Sequence, residues 1–199
     1  APQSEAEYIK LLIEMGINTP REKGCSTNTT IKMRDYQQKA VSAWMDNNCQ
    51  GILEMATGTG KTITALYAYA EMLKREEKLV LLVTCPYTHL PIQWEKTIER
   101  MDIRSEIRAI LRADGNTKKW EDTIYATALD LLNVSKKSKQ KSIVILATND
   151  TASSDKFQKM FEKIQTLCHF NWMIISDEVH SIGSPTYQKA LNSEYQYRL

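Results

Sequence analysis

No stretch of the 199-residue sequence approaches the ~20 consecutive apolar residues that a bilayer crossing needs. The opening APQSEAEYIK lacks both the basic start and the apolar stretch of a secretory leader, so the expectation is a cytoplasmic protein with no membrane partner. An excess of one charge is missing too. Lys and Arg total 26 against 24 Asp and Glu, a net charge of +2, so any grip on a polyanion has to be local. The four cysteines, Cys25, Cys49, Cys85 and Cys168, form no CxxC pair and no framework spacing, which argues for reduced thiols over disulfides. Cys168 stands beside His169, but no further ligand pair lies at zinc spacing, and the pair reads as a buried thiol at a helix end. Internal repeats and low-complexity tracts are absent.

What is present is an ordinary globular composition, 42% hydrophobic and 25% charged, enough for one domain with a small appendage. Ser4 and Glu7 form a capping box ahead of Tyr8, Leu11, Leu12 and Met15 at helical spacing, and Gly16 ends that helix. Residues 17–30 mix Pro, Gly, Asn, Ser and Thr without periodicity and read as a linker. The division falls into residues 1–30, a helix and linker, and residues 31–199, the main domain. Five short apolar runs follow: residues 51–55 (GILEM), 78–84, 106–111, 142–148 and 172–176. They are continuous enough to predict strands buried on both faces. Between them lie helical spacings at Ile63, Leu66, Ala70 and Leu73, at Trp120, Ile124, Ala128 and Leu131, and at Phe157, Met160, Phe161 and Ile164. The alternation predicts an α/β fold, a parallel sheet with helices on both faces, whose ligands gather at the carboxyl ends of the strands. Lys136 to Lys141, KKSKQK, is a basic loop. Trp44, Trp120 and Trp172 read as core or rim aromatics, and Tyr67 and Tyr69 as packing residues of the helix they share.

The GILEM run is followed at once by ATGTGKT and then by a helical stretch. Gly58 and Gly60 permit backbone angles and close approach that let successive N–H groups point at phosphate oxygens. Thr57 and Thr59 complete the loop, and Met55 stands where the strict P-loop pattern has glycine. Lys61 supplies a mobile positive charge, the helix start adds free N–H donors, and the Thr62 hydroxyl is placed for Mg2+. Hydrolysis of a bound triphosphate also needs a metal anchor and a group that serves water. DEVH, beginning at Asp177, follows the last predicted strand. Asp177 would hold the magnesium, and Glu178, aimed the other way by the step of one residue, would polarise the attacking water.

ATGTGKT with DEVH inside an α/β chain resembles the first RecA-like domain of superfamily 2 helicases and translocases of the DExH kind. Two more segments agree. RDYQQKA resembles the glutamine motif with which the family reads adenine; Gln37 is the matching residue, with Arg34 and Tyr36 beside it. PYTHLPIQW resembles motif Ia through Pro86, Leu90, Gln93 and Trp94. The resemblance implies ATP and Mg2+ as cofactors and a backbone-binding role for Tyr87, Thr88 and His89, with Thr148 in a further backbone-binding loop. It implies that His180 couples nucleotide state to a second RecA-like domain carrying arginine fingers. The YRL ending resembles the lead into the SAT motif, so the isolated residues are expected to bind ATP and hydrolyse it weakly. An arginine finger is worth ~10³ to 10⁵ in turnover in related enzymes. The RDYQ and QW segments look more like restriction-enzyme motors and excision-repair helicases than RNA helicases, which implies double-stranded DNA as the partner. Three other readings stay open: a nucleotide-switched nucleic-acid-binding module without translocation, an RNA helicase, and a P-loop small-molecule kinase, for which no Arg-rich lid is evident.

Overall fold

Strand β1, Leu79–Cys85, is buried along its whole length and organises everything around it. Its odd-numbered residues, Leu79, Leu81, Val83 and Cys85, join one buried cluster, and Val80 and Leu82 join another. That is the period-two alternation of a strand covered on both faces. The computed structural model describes residues 33–56, 58–113, 119–178, 189–191 and 194–199. The predicted N-terminal helix with its Ser4–Glu7 capping box, Cys25, Thr57 and His180 lie outside the described residues.

The described elements run α1 (Asp35–Asp46), α2 (Lys61–Arg75), β1, α3 (Leu90–Glu99), β2 (Ile107–Ala113), α4 (Trp120–Leu132), β3 (Ser142–Thr148), α5 (Asn149–Ser153), α6 (Asp155–Cys168), β4 (Asn171–Ser176) and β5 (Tyr197–Arg198), with short 3-10 turns at Asp102–Glu106 and Lys189–Leu191. The sheet order is β2-β3-β1-β4-β5, and every pairing is parallel. One face buries α1, α2 and α3 through Val41, Trp44, Leu66, Tyr69, Leu73, Trp94 and Ile98. The other buries α4 and α6 through Trp120, Ile124, Ala128, Leu131, Phe157, Phe161 and Ile164. The helical spacings legible in the sequence are the spacings that meet the sheet.

Helix starts are fixed locally. The Ser154 hydroxyl accepts the Phe157 N–H at 3.2 Å and opens α6, and the Thr148 hydroxyl accepts the Thr151 N–H at 3.2 Å and opens α5, each satisfying a donor that the first turn leaves over. Cys168 is the last residue of α6, buried, and His169 turns the chain with φ 49°. Cys49, Cys85 and Cys168 are free and buried. Among the described residues no helix is long and apolar enough to cross a membrane.

Two expectations need correction. Residues 51–55 form no strand: among the described residues only the bridge Gln50–Arg198 joins this segment to the sheet, and Ile52 is 67% exposed. The reason is the neighbour. β5 is two residues long, and its Arg198 donates to the Cys49 carbonyl at 2.9 Å and accepts from the Gly51 N–H at 3.1 Å, which leaves residues 52–55 without a ladder. The fifth strand is instead Tyr197–Arg198, unforeseen in the sequence. β2 also departs from burial on both faces, since five of its positions are only half-buried or exposed, as befits the sheet edge.

Candidate nucleotide site

The registers of the central strands bring their carboxyl ends level. Thr84 stands opposite Ser176 and Cys85 opposite Thr148, so the loop at residues 86–89, the Asn149 turn and the Asp177–Glu178 pair leave the sheet at one edge. Asp177 is held from behind by its own backbone, whose N–H donates to the Thr84 carbonyl at 2.8 Å. The next residue, Glu178, takes the left-handed conformation with φ 54°, a strained choice for a side chain of this kind that functional turns often retain.

The glycine loop comes to the same edge. Gly58 and Gly60 have φ 79° and 88°, the conformations that glycine alone adopts freely. Gly60 precedes the first residue of α2, Lys61, and its carbonyl accepts the Thr64 N–H at 2.9 Å, so the first turn of α2 opens toward the loop with its leading N–H groups in the position that suits anions. The Thr59 hydroxyl donates to the Ala56 carbonyl at 2.6 Å and pins the turn. Lys61 Nζ donates to the Met55 carbonyl at 3.2 Å, a neutral partner that a phosphate would outcompete, because hydrogen bonds between two ions are roughly twice as strong.

A cleft of about 140 Å³ lies between these parts, and Lys61, Thr62, Asp177 and Glu178 all line it together with Trp94. The strand alternation that would have sent Glu178 away from Asp177 ends at Ser176; the turn at Glu178 sets both carboxyl residues against the same space. One further contact was not legible in the sequence: the indole N–H of Trp94 donates to Asp177 Oδ2 at 3.0 Å. The only signal for it was the Gln93-Trp94 pair in the motif Ia segment. Burial, and next the Asp177 charge, push the Cys85 thiol well above its ordinary value, so this neighbour of the acidic pair stays a neutral thiol.

The remaining predicted residues fall into two groups. Gln37 lies buried behind the loop: its Oε1 accepts the Arg34 N–H at 2.9 Å and its Nε2 donates to the Gly60 carbonyl at 3.4 Å. Tyr36 donates its phenol to the Thr59 carbonyl at 2.7 Å, and Arg34 Nη1 reaches that phenol at 3.3 Å, so the RDYQ segment braces the glycine loop from behind. Tyr87, Thr88 and His89 form an exposed loop, with the rings of Tyr87 and His89 stacked at 5.8 Å. Thr148 differs from them: it is 7% exposed, and its hydroxyl is spent on opening α5.

A parallel sheet with a glycine loop, a helix start and an acidic pair around one cleft at its carboxyl edge defines a RecA-like domain of the superfamily 2 helicase class. The chain belongs to the family described as the Type III restriction enzyme, res subunit, which matches residues 30–199. Among curated relatives, a protein of Haloarcula marismortui named as the DNA 3'-5' helicase Rad25 is 26% identical over 98% of this chain and 27% of its own length. The DNA 3'-5' translocase XPB2 of Sulfurisphaera tokodaii is 37% identical over 70 residues, 35% of this chain and 15% of the relative. The chain therefore spans about a quarter of the first relative. Among solved structures, a nuclease-deletion mutant of the Type ISP restriction-modification enzyme LlaGI in complex with a DNA substrate mimic shares the fold. Its TM-score is 0.64 at 21% identity, over 84% of this chain and 17% of that one. The Sulfolobus solfataricus SWI2/SNF2 ATPase core in complex with dsDNA gives 0.56 at 22% identity, over 86% and 32%.

Proposed function

We propose that residues 31–199 are the ATP-binding domain of a cytoplasmic, double-stranded-DNA-dependent ATPase of the helicase or translocase type, and that residues 1–30 are a helix and linker ahead of it. The observation that carries this reading is the cleft lined at once by Lys61, Thr62, Asp177 and Glu178. A P-loop lysine, a hydroxyl for magnesium, a carboxylate for the same ion and a second carboxylate for water are the parts that phosphoanhydride hydrolysis needs.

The residues fit Mg-ATP. Two left-handed glycines open a backbone cradle before the α2 start. Among the described residues, no group of three or more His, Cys, Asp or Glu could hold an ion alone. A magnesium ion held by Thr62 and Asp177 would draw its other ligands from phosphates and water, as this cation ordinarily does. Lys61, which donates to the Met55 carbonyl, would turn to the phosphates of a bound nucleotide. Thr62 and Asp177 would hold a magnesium ion, whose chemistry would be to neutralise negative charge on the phosphates, and Glu178 would orient the attacking water. Arg34, Gln37, Thr57, Gly58, Thr59 and Gly60 form the rest of the nucleotide site, with Gln37 serving it by bracing the glycine loop from behind. Tyr87, Thr88 and His89 contact the nucleic acid backbone, with the turn that Thr148 opens as a further contact, and such contacts carry no base information. His180 couples the site to a second RecA-like domain, whose arginine complements the cleft.

The test is the ATPase rate of the full-length protein with double-stranded DNA, single-stranded RNA and no nucleic acid. The expected result is stimulation by double-stranded DNA of roughly tenfold or more and little by RNA, with turnover lost in Glu178→Gln. ATP binding without stimulated turnover would move the reading to a nucleotide-switched binding module, and absence of ATP binding would end it.

A further inference from the structure

The bond between Trp94 and Asp177 has no place in the reaction as set out above, yet it joins two regions that the reaction must connect. We propose that Trp94 is a positioning residue for the Asp177 carboxylate and, through α3, its mechanical link to the exposed loop at residues 86–89. The proposal rests on reading the cleft as the Mg-ATP site.

Three observations carry it. First, the geometry is specific. An indole N–H is a donor only, and here it meets one carboxylate oxygen at 3.0 Å, a charge-assisted contact. With the Asp177 N–H fixed on Thr84, both the backbone and one carboxylate oxygen are tied. The second oxygen has no partner among the described residues and remains for the ion or its water.

Second, the donor is rigid. Trp94 is 3% exposed and belongs to the same buried cluster as Ala65, Val83, Cys85 and Ile175. Its ring cannot swing away without opening the core, so the rotamer of Asp177 is settled before any ligand arrives. That pre-organisation is what an ion with strict geometric demands rewards.

Third, the donor sits one turn into α3. The helix begins at Leu90 and has proline in its first turn, immediately after Tyr87 and His89. Four residues at ~1.5 Å rise span about 6 Å along the axis. A contact that displaces the loop therefore displaces the first turn of α3, and Trp94 with it, while Asp177 stays anchored on β1. The length and angle of one hydrogen bond then register whether the loop is occupied.

The experiment replaces Trp94 in the full-length protein by 3-benzothienylalanine, which keeps the bicyclic shape and puts sulfur in place of the N–H; Trp94→Phe is a second variant and Asp177→Asn the reference. Mn2+ affinity is read by electron paramagnetic resonance in the presence of a non-hydrolysable ATP analogue, with and without double-stranded DNA. Thermal melting and metal-free analogue binding report the fold. Loss of a group that orients a metal ligand typically weakens the metal by roughly ten- to a hundredfold. The expected result is a loss near the lower end of that range in the benzothienyl protein, with unchanged melting and metal-free binding, and removal of any DNA effect on Mn2+ affinity. Unaltered Mn2+ affinity in that protein, with a loss in Asp177→Asn, would overturn the role of Trp94 alone. Unaltered affinity in Asp177→Asn would overturn the reading of the cleft as well.

Discussion

Gln37 and Gly60 are packed so closely that a Cβ on residue 60 would lie 2.9 Å from Gln37 Nε2. The glutamine is itself pinned by the Arg34 N–H, so it cannot withdraw without giving up a second bond. The glycine loop is thus shaped from two sides: by its own left-handed residues and by the buried glutamine of α1 behind it.

Gly60→Ala should consequently do more harm than Gly58→Ala. Both positions have positive φ, but a Cβ at Gly58 meets nothing within 4 Å, so that variant carries backbone strain alone, about 1–3 kcal/mol. At Gly60 the collision is added. The expected outcome is a melting temperature lower for Gly60→Ala than for Gly58→Ala, and a larger loss of ATP-analogue affinity by titration calorimetry. Equal behaviour of the two would remove Gln37 from its bracing role.

Much of this was legible in the sequence, for identifiable reasons. The buried runs at β1, β3 and β4 are flanked by helices on both faces and so show neither polar alternation nor ambiguity of length. ATGTGKT and DEVH are local patterns whose chemistry depends on spacing, and spacing is what a sequence records. The GILEM segment misled because an apolar run states only that burial is favourable, whereas a strand also needs a neighbour to bond. The neighbour, β5, pairs at Cys49 and Gly51 and no further. The Trp94–Asp177 contact was hidden because its partners are 83 residues apart and neither residue type demands the other. The family resemblance points to Thr148 as a backbone contact, and nothing in the sequence shows that its hydroxyl opens a helix.

Lys61→Ala removes the one cationic side chain that lines the cleft among the described residues. A hydrogen bond to a charged group contributes about 1.5–3 kcal/mol, so ATP-analogue affinity should fall by roughly ten- to a hundredfold. Melting without nucleotide should change little, since the lysine there holds only the Met55 carbonyl. Glu178→Gln should keep the affinity and lose turnover by about 10² to 10⁴. Retained hydrolysis in Glu178→Gln would assign the water to another residue.

Tyr87 is 63% exposed and stacked on His89, so truncating it removes little packing. In Tyr87→Ala, basal ATPase and melting should stay at their native values while the DNA concentration for half-maximal stimulation rises several-fold. A drop in basal rate with unaltered DNA dependence would mean that the loop supports the cleft and does not bind DNA.

Stability should decline in alkali for a reason built into the core. Tyr69 and Tyr195 are 0% and 3% exposed, and burial pushes both phenols well above their ordinary value of 10; the Cys85 thiol is pushed up likewise from 9. A raised folded value means that the folded state keeps a proton which the unfolded state has begun to release, so stability falls as pH rises past the unfolded value. The thiol acts first, above about pH 9, and the phenols from about pH 10, each fully buried group contributing about 1.4 kcal/mol per pH unit. Below pH 9 these groups are neutral in both states and impose no slope. Tyr69 donates to, or accepts from, Ser142 Oγ at 2.6 Å, while that hydroxyl also reaches the Leu79 carbonyl, so Tyr69→Phe leaves Ser142 partnered. The variant should lose about 1 kcal/mol at neutral pH and show a shallower decline above pH 10, by one proton's worth of slope. Urea titrations at pH 7.5, 9.5 and 10.5 test this directly: parallel pH dependence in the two proteins would show that Tyr69 ionises as readily in the fold as outside it, contrary to its burial.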